Sequence, residues 1–170
     1  MTERAPDERG VAEAPAPRTD EETLSQLEEE LDESQPDAPR VGIVMGSKSD
    51  MPEMEKAGAE LDERGILHET RVMSAHRDPE MVADYARNAR MRGLKVIIAG
   101  AGLSAALPGV CAAHTDLPVI GVPLTAKNSA AGGLDALLSS AQMPPGVPVA
   151  CVGLNSARNA AVLAARIIDC

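Results

Sequence analysis

A chain of 170 residues with 44% apolar and 25% charged side chains has the make-up of one soluble domain of ordinary size, with room for an appendage. A single Tyr, no Phe and no Trp argue against sites built on stacked rings, such as a flavin sandwich or a platform for single-stranded nucleic acid. Residues 1–40 hold 13 of the 26 acids and 4 of the 16 bases, so most of the net charge of −10 sits there; the rest is nearly neutral and offers DNA or RNA no basic face.

No window approaches the roughly 20 apolar residues of a membrane span, and the N-terminus has no apolar stretch of the secretory kind. Cys111, Cys151 and Cys170 form no CxxC and no Cys/His spacing suited to zinc. An odd cysteine count without a signal segment leads us to expect reduced thiols in a cytoplasm. Cys111 and Cys151 lie in apolar runs and read as small buried side chains.

In chain order, residues 1–39 are rich in Ala, Pro, Glu and Asp, a composition that buries too little apolar surface to order itself. Within this acidic leader only Leu24, Leu27 and Leu31 share a helical face, near residues 23–32, and a helix that short is marginal on its own. From residue 40 the texture changes. Val41–Met45 is an apolar run fit for a strand buried on both faces, and Gly46–Asp50 a loop. A helix starts at Asp50, with Pro52 in its first turn and Glu53 three residues on, as in a capping box; Gly65 ends it. Leu67–Met73 is a more polar strand, suited to a sheet edge.

The alternation repeats. Ser74–Asp78 is a loop, Pro79–Arg92 a helix closed by Gly93, Lys95–Gly100 a strand, and Leu107–His114 a helix. Pro118–Val122 is a strand, Gly133–Ala141 a helix, Val147–Leu154 a strand and Ser156–Ile168 a closing helix. Five βα units with short connections predict a three-layer α/β domain over 40–170, a doubly wound parallel sheet of the flavodoxin type with strand order 2-1-3-4-5. The Ala-rich face of the last helix permits close approach within the subunit or between subunits.

In such sheets ligands bind beyond the carboxyl ends of the strands, where the strand order reverses. That rule selects the loops after the first and third strands and the adjacent loop after the second. Gly46-Ser47-Lys48-Ser49-Asp50 joins a glycine, two hydroxyls and a helix N-terminus, the parts of a phosphate site, although it is neither a GxxxxGK[ST] loop nor a GxGxxG fingerprint. Asp50 there either accepts from ribose hydroxyls or caps its helix. Ser74-Ala75-His76-Arg77-Asp78 sets a side chain able to move a proton at neutral pH beside one able to grip a phosphate or carboxylate. The bland alternative is a solvated turn. Gly100-Ala101-Gly102-Leu103-Ser104 carries almost no charge and suits a small neutral species, or is simply a flexible connection. His68, His114 and Tyr85 read as structural.

Several short stretches, taken in order, resemble the PurE family of purine biosynthesis from about residue 41 to 168. They are Val44-Met-Gly-Ser-Lys-Ser-Asp50, Ser74-Ala-His-Arg77, Ile97-Ile-Ala-Gly-Ala-Gly102, Leu107-Pro-Gly109, Leu117-Pro-Val-Ile-Gly-Val-Pro123, Gln142-Met-Pro144, Gly146-Val-Pro-Val149 and Asn159-Ala-Ala161. The resemblance implies a flavodoxin-like homo-octamer without metal or organic cofactor. It implies the interconversion of N5-carboxyaminoimidazole ribonucleotide (N5-CAIR) and its C4-carboxylated isomer (CAIR), with N5-CAIR coming from the ATP-dependent N5-CAIR synthetase. In that mechanism the carboxylate leaves nitrogen as CO2, stays trapped beside the ring, and is attacked by C4. His76 matches the family histidine that takes the C4 proton. Ser47, Asp50 and Arg77 match substrate contacts, and Ser49 and Ser74 fill adjacent motif positions. The chain departs from the pattern at Ala106, where many bacterial mutases carry His, and at Leu103, where they carry a small residue. The rival readings are a carboxylase joining free CO2 to aminoimidazole ribonucleotide (AIR), and a non-catalytic nucleotide-binding module.

Overall fold

The computed structural model describes residues 37–170. The leader assigned to 1–39, with its leucine-bearing patch, lies outside the described residues except for its last three. The strands are β1 (Val41–Met45), β2 (His68–Val72), β3 (Val96–Gly102), β4 (Val119–Leu124) and β5 (Ala150–Cys151). They form one sheet in the order β2-β1-β3-β4-β5, with every pairing parallel. The helices are α1 (Met51–Glu63), α2 (Pro79–Arg87), α3 (Ala106–Ala113), α4 (Leu134–Ala141) and α5 (Ala157–Ile168). This is the predicted flavodoxin-like α/β topology.

The apolar runs explain why the inner strands lie where they do. β1 and β4 are buried along their whole length and β3 at all but its last residue, as parallel strands covered on both faces must be. Alternate side chains serve opposite layers. Ile43, Met45, Ile98, Ile120 and Val122 pack against Met54 and Leu61 of α1 and the alanines of α5. Val44, Ile97, Ala99 and Val119 pack against Val82 and Tyr85 of α2, Leu107 and Cys111 of α3, and Ala136 of α4. The Ala face of α5 is therefore used within the subunit: Ala157, Ala160, Ala161 and Ala164 are fully buried. Burial pushes the Cys111 thiol up to about 12, the inert behaviour expected of it, whereas Cys151 is only half-buried.

The structure departs from the sequence reading at several points. The helix predicted to run to Arg92 stops at Arg87: the backbone N–H and side-chain amide of Asn88 both donate to the Asp84 carbonyl oxygen, at 3.1 Å and 2.9 Å, and the Ala89 N–H turns to the Ala86 carbonyl oxygen. A short 3-10 turn over Arg90–Arg92 follows, and Gly93 at φ +88° closes it. β5 spans two residues rather than eight; Val147 is held in a turn by the Pro144 carbonyl oxygen, and Pro148 has no N–H to give a neighbour. The predicted Asp50–Glu53 capping box does not form, with consequences described below.

Glu60, buried on α1, accepts from Arg64 at 2.9 Å and 2.6 Å and from Arg158 of α5 at 2.6 Å. These hydrogen bonds, first from Arg64 and then from Arg158, hold its carboxyl below the usual range. A lowered folded-state pKa adds stability that is complete above the unfolded value, about 4.3 for Glu. That contribution is lost as pH falls through the folded value. Glu60→Gln is therefore expected to melt below the native chain at about pH 6, with the gap closing toward about pH 3. Thermal unfolding of the two proteins across that range checks it; a gap independent of pH would contradict the ion-pair account.

Candidate active site

All three loops selected by the strand-order rule open on one cavity of about 420 Å³ beyond the carboxyl ends of β1, β2 and β3. Ligand sites typically fall at roughly 300–1,000 Å³. Ser47, Ser49, Asp50, Ser74, His76 and Arg77 all line it. The sheet register explains the convergence. Met45 pairs with Val72 on one side and Gly100 on the other, so β1 and β2 end together and β3 runs two residues further, to Gly102, which brings the three loops to one edge of the sheet.

The first loop is built by its own hydroxyls. Ser47 caps the 3-10 turn Lys48–Asp50 by accepting from the Ser49 backbone N–H at 3.2 Å, and its Oγ also accepts from the Ser49 hydroxyl at 2.9 Å. Asp50 occupies the N-cap position of α1 but makes no side-chain cap bond. Glu53, its expected capping partner, instead accepts from the Ala157 N–H at 3.4 Å and pairs with Lys56. The Asp50 carboxylate makes no cap bond to its helix and lines the cavity instead. Burial raises its pKa above the ordinary carboxylate value, against hydrogen bonds from the Ser47 backbone and the Ser49 side chain that lower it.

The second loop is a turn closed by Arg77 N–H and Asp78 N–H donating to the Ser74 carbonyl oxygen at 3.2 Å and 2.9 Å. Asp78 caps α2 by accepting from the Met81 N–H at 3.1 Å, which anchors the turn from its far end. The Arg77 guanidinium donates to the Gly46 carbonyl oxygen at 2.7 Å, tying the second loop to the first. One edge of the guanidinium is fixed by that bond, and a planar fork so held suits an anion. His76 is exposed at the same cavity.

The third loop lines the cavity with Ala101, Gly102, Leu103 and Ser104, and α3 adds Ala106 and Leu107. No charged side chain comes from this side. The cavity therefore has a polar wall with a cation, a carboxylate, an imidazole and hydroxyls, and a neutral wall of small groups. Ala126, beyond β4, also lines it, and sequence reasoning missed it. An alanine carries no chemical signal; only its place after a strand end would have pointed to it.

The remaining histidines stand apart. His68 Nε2 lies 3.1 Å from Asp62 Oδ1, on the outer strand, and His114 is the C-cap of α3. Among the described residues no helix is long and apolar enough to cross a membrane.

Comparison with known proteins adds independent findings. The family model described as AIR carboxylase matches residues 40–170. A protein of Pyrococcus abyssi named N5-carboxyaminoimidazole ribonucleotide mutase is 56% identical over 131 residues, which cover 77% of this chain and 74% of that one. A protein of the same name from Thermotoga maritima is 56% identical over 130 residues, covering 76% of this chain and 75% of that one. The crystal structure of Treponema denticola PurE superimposes with a TM-score of 0.67 at 37% identity, over 77% of this chain and 80% of that one.

Proposed function

The chain belongs to the AIR carboxylase family, and on that premise we propose that it interconverts N5-CAIR and CAIR in purine biosynthesis, with His76 as the general acid/base. The observation that carries the proposal is the convergence of His76, Arg77 and Asp50, from two loops, on one cavity with an uncharged opposite wall. Curated relatives named as N5-CAIR mutases at 56% identity support the same activity.

The roles follow from the side chains. The phosphate meets the hydroxyls of the first loop and the N–H groups of the turn behind them. Asp50 accepts from the ribose hydroxyls. Arg77, steadied by the Gly46 carbonyl oxygen, sits beside the base. Ser49 and Ser74 complete the polar wall. The N–C bond of the carbamate breaks, its electron pair stays on the exocyclic nitrogen, and that nitrogen takes up a proton. The freed CO2 remains by the neutral wall. A ring electron pair then joins C4 to its carbon, and His76 removes the C4 proton. One proton enters and one leaves, so the sum is an isomerisation. Holding ring and CO2 together makes recapture effectively unimolecular.

Purified protein supplied with N5-CAIR in one vessel, and with AIR and bicarbonate in another, tests the reading. CAIR from N5-CAIR at low bicarbonate supports it. CAIR from AIR and bicarbonate alone would make the protein a carboxylase. Tight AIR binding with no CAIR from either source would make it a binding module.

The reading places the chain in the cytoplasm as a homo-octamer, receiving N5-CAIR from the ATP-dependent synthetase. It also treats residues 1–39 as outside the working structure. Deleting them is expected to leave kcat within a few-fold and the mass of the assembly reduced only by the missing residues. Steady-state assay and light scattering check this, and a collapse of either would make the segment part of the catalyst.

A further inference from the structure

Three non-glycine residues among those described have φ in the left-handed region: Leu103 at +57°, Ala131 at +47° and Asn155 at +51°. Asn tolerates that conformation, and Asn155 bonds Thr125 through both ends of its amide. Ala131 is small and is followed by two glycines. Leu103 has no such excuse. Its branched side chain makes positive φ costly, and it is 44% exposed, so burial in the core does not account for it.

The loop does contain glycine, but one residue earlier. A Cβ on Gly102 would come within 3.0 Å of the Leu124 carbonyl oxygen, so that position is set by space. At position 103 the backbone favours glycine and the sequence supplies leucine. The conformation is held by the turn that follows, with the Ala105 N–H donating to the Leu103 carbonyl oxygen at 2.9 Å and the Ala106 N–H to that of Ser104 at 2.7 Å. Strain kept at an exposed position on a cavity wall points to a ligand as its reason.

The wall around it indicates which part of the ligand. Ala101, Gly102, Ala106 and Ala126 are small and uncharged, and Leu107 is almost fully buried. Among the described residues, Leu103 is the one bulky apolar side chain that is both exposed and on the cavity. The charged parts of a nucleotide belong on the opposite wall, with Arg77 and Asp50. What is left for this wall is a small neutral group that must be kept from water.

We propose that Leu103 is an apolar seal over the CO2 released in the cavity, and that it sets how much of the carboxyl carbon reaches C4 rather than escaping to solvent. This rests on the mutase reading above. The seal contributes by excluding water and blocking exit, not by moving protons.

The test supplies N5-CAIR bearing an isotopically labelled carboxyl group, in excess unlabelled bicarbonate, and reads both the label retained in CAIR and the AIR formed above the enzyme-free rate. The native chain is expected to keep most of the label. Leu103→Gly, which suits the backbone at that position, is expected to melt no lower than the native chain while AIR rises several-fold and label retention falls. Leu103→Met is expected to restore retention, and Leu103→Ala to leak as the glycine variant does. Retention in Leu103→Gly equal to the native value overturns the seal while leaving the mutase reading intact. A native chain that makes no CAIR from N5-CAIR overturns the mutase reading, and the seal with it, in an arm that involves no mutation.

Discussion

His76→Asn is expected to lower kcat by roughly 10²–10⁴-fold, the range that a positioned acid/base usually supplies, while nucleotide affinity stays within a few-fold. The exchange removes the imidazole proposed to take and return the C4 proton. It leaves the frame untouched, since the turn is closed by backbone N–H groups on the Ser74 carbonyl oxygen and anchored by the Asp78 cap. Affinity should persist because the phosphate and ribose contacts proposed above come from the first loop, and Arg77 is steadied by the Gly46 carbonyl oxygen rather than by its neighbour. Calorimetric titration with AIR measures the affinity and the N5-CAIR assay the turnover. The partial reaction sharpens the result: exchange of the C4 hydrogen of bound AIR with deuterated solvent should fall together with turnover. A variant with near-native turnover would remove His76 from the chemistry, and one that failed to bind would show the imidazole to be a substrate contact instead.

The parts of the fold that were legible share a physical cause. Val41–Met45 coincides with its predicted strand because a strand buried on both faces admits only residues without polar side chains, and Arg40 before it and the Gly46–Asp50 loop after it mark the ends. The place of the site follows from topology, since parallel strands in this order bring three loops together whatever their sequences. What stayed hidden depends on partners distant in sequence. The Asp50 carboxylate makes no cap bond, and Glu53 turns to the N-terminus of a helix more than a hundred residues away, an engagement no local pattern announces. Once Glu53 is so engaged, Ser47 supplies the capping oxygen one turn earlier. The two-residue length of β5 reflects the turn at Pro144–Val147, which takes up the Val147 N–H that the apolar pattern alone would assign to a ladder, and Pro148, which has none to give. The positive φ of Leu103 is invisible in sequence because the residue type argues against it. That contradiction between local preference and observed backbone is what makes the position informative.

The second large effect lies behind the site. Gly42→Ala is expected to destabilise the domain by about 1–3 kcal/mol, the usual cost of adding a carbon to a packed interior. Gly42 lies in the middle of β1, paired with Glu69 of the edge strand β2, and the Tyr85 side chain reaches past it. A Cβ at this position would overlap the Tyr85 hydroxyl oxygen and come within 3.1 Å of Leu94 Cδ1 and 3.3 Å of Tyr85 Cζ. The ring cannot simply move aside. Its hydroxyl donates to Glu69 Oε1 at 2.9 Å, and the Arg92 guanidinium carbon stacks 4.4 Å from the ring centroid while the same arginine pairs with Glu69. Burial, with the Glu69 charge adding to it, raises the Tyr85 pKa, so the hydroxyl remains a donor through the neutral range. The clamp fastens β2 to α2, and the Ser74–Arg77 turn connects those two elements. Tyr85→Phe removes the overlapped oxygen and leaves Glu69 paired with Arg71 and Arg92. The double variant Gly42→Ala/Tyr85→Phe should therefore be more stable than Gly42→Ala alone, a non-additivity expected of residues in direct contact. Urea midpoints of the four proteins measure it. Additive costs would mean that the added carbon is resisted by Leu94 rather than by the hydroxyl, and a Tyr85→Phe chain as stable as the native one would mean that the edge strand is held by its ladder and ion pairs without the hydroxyl.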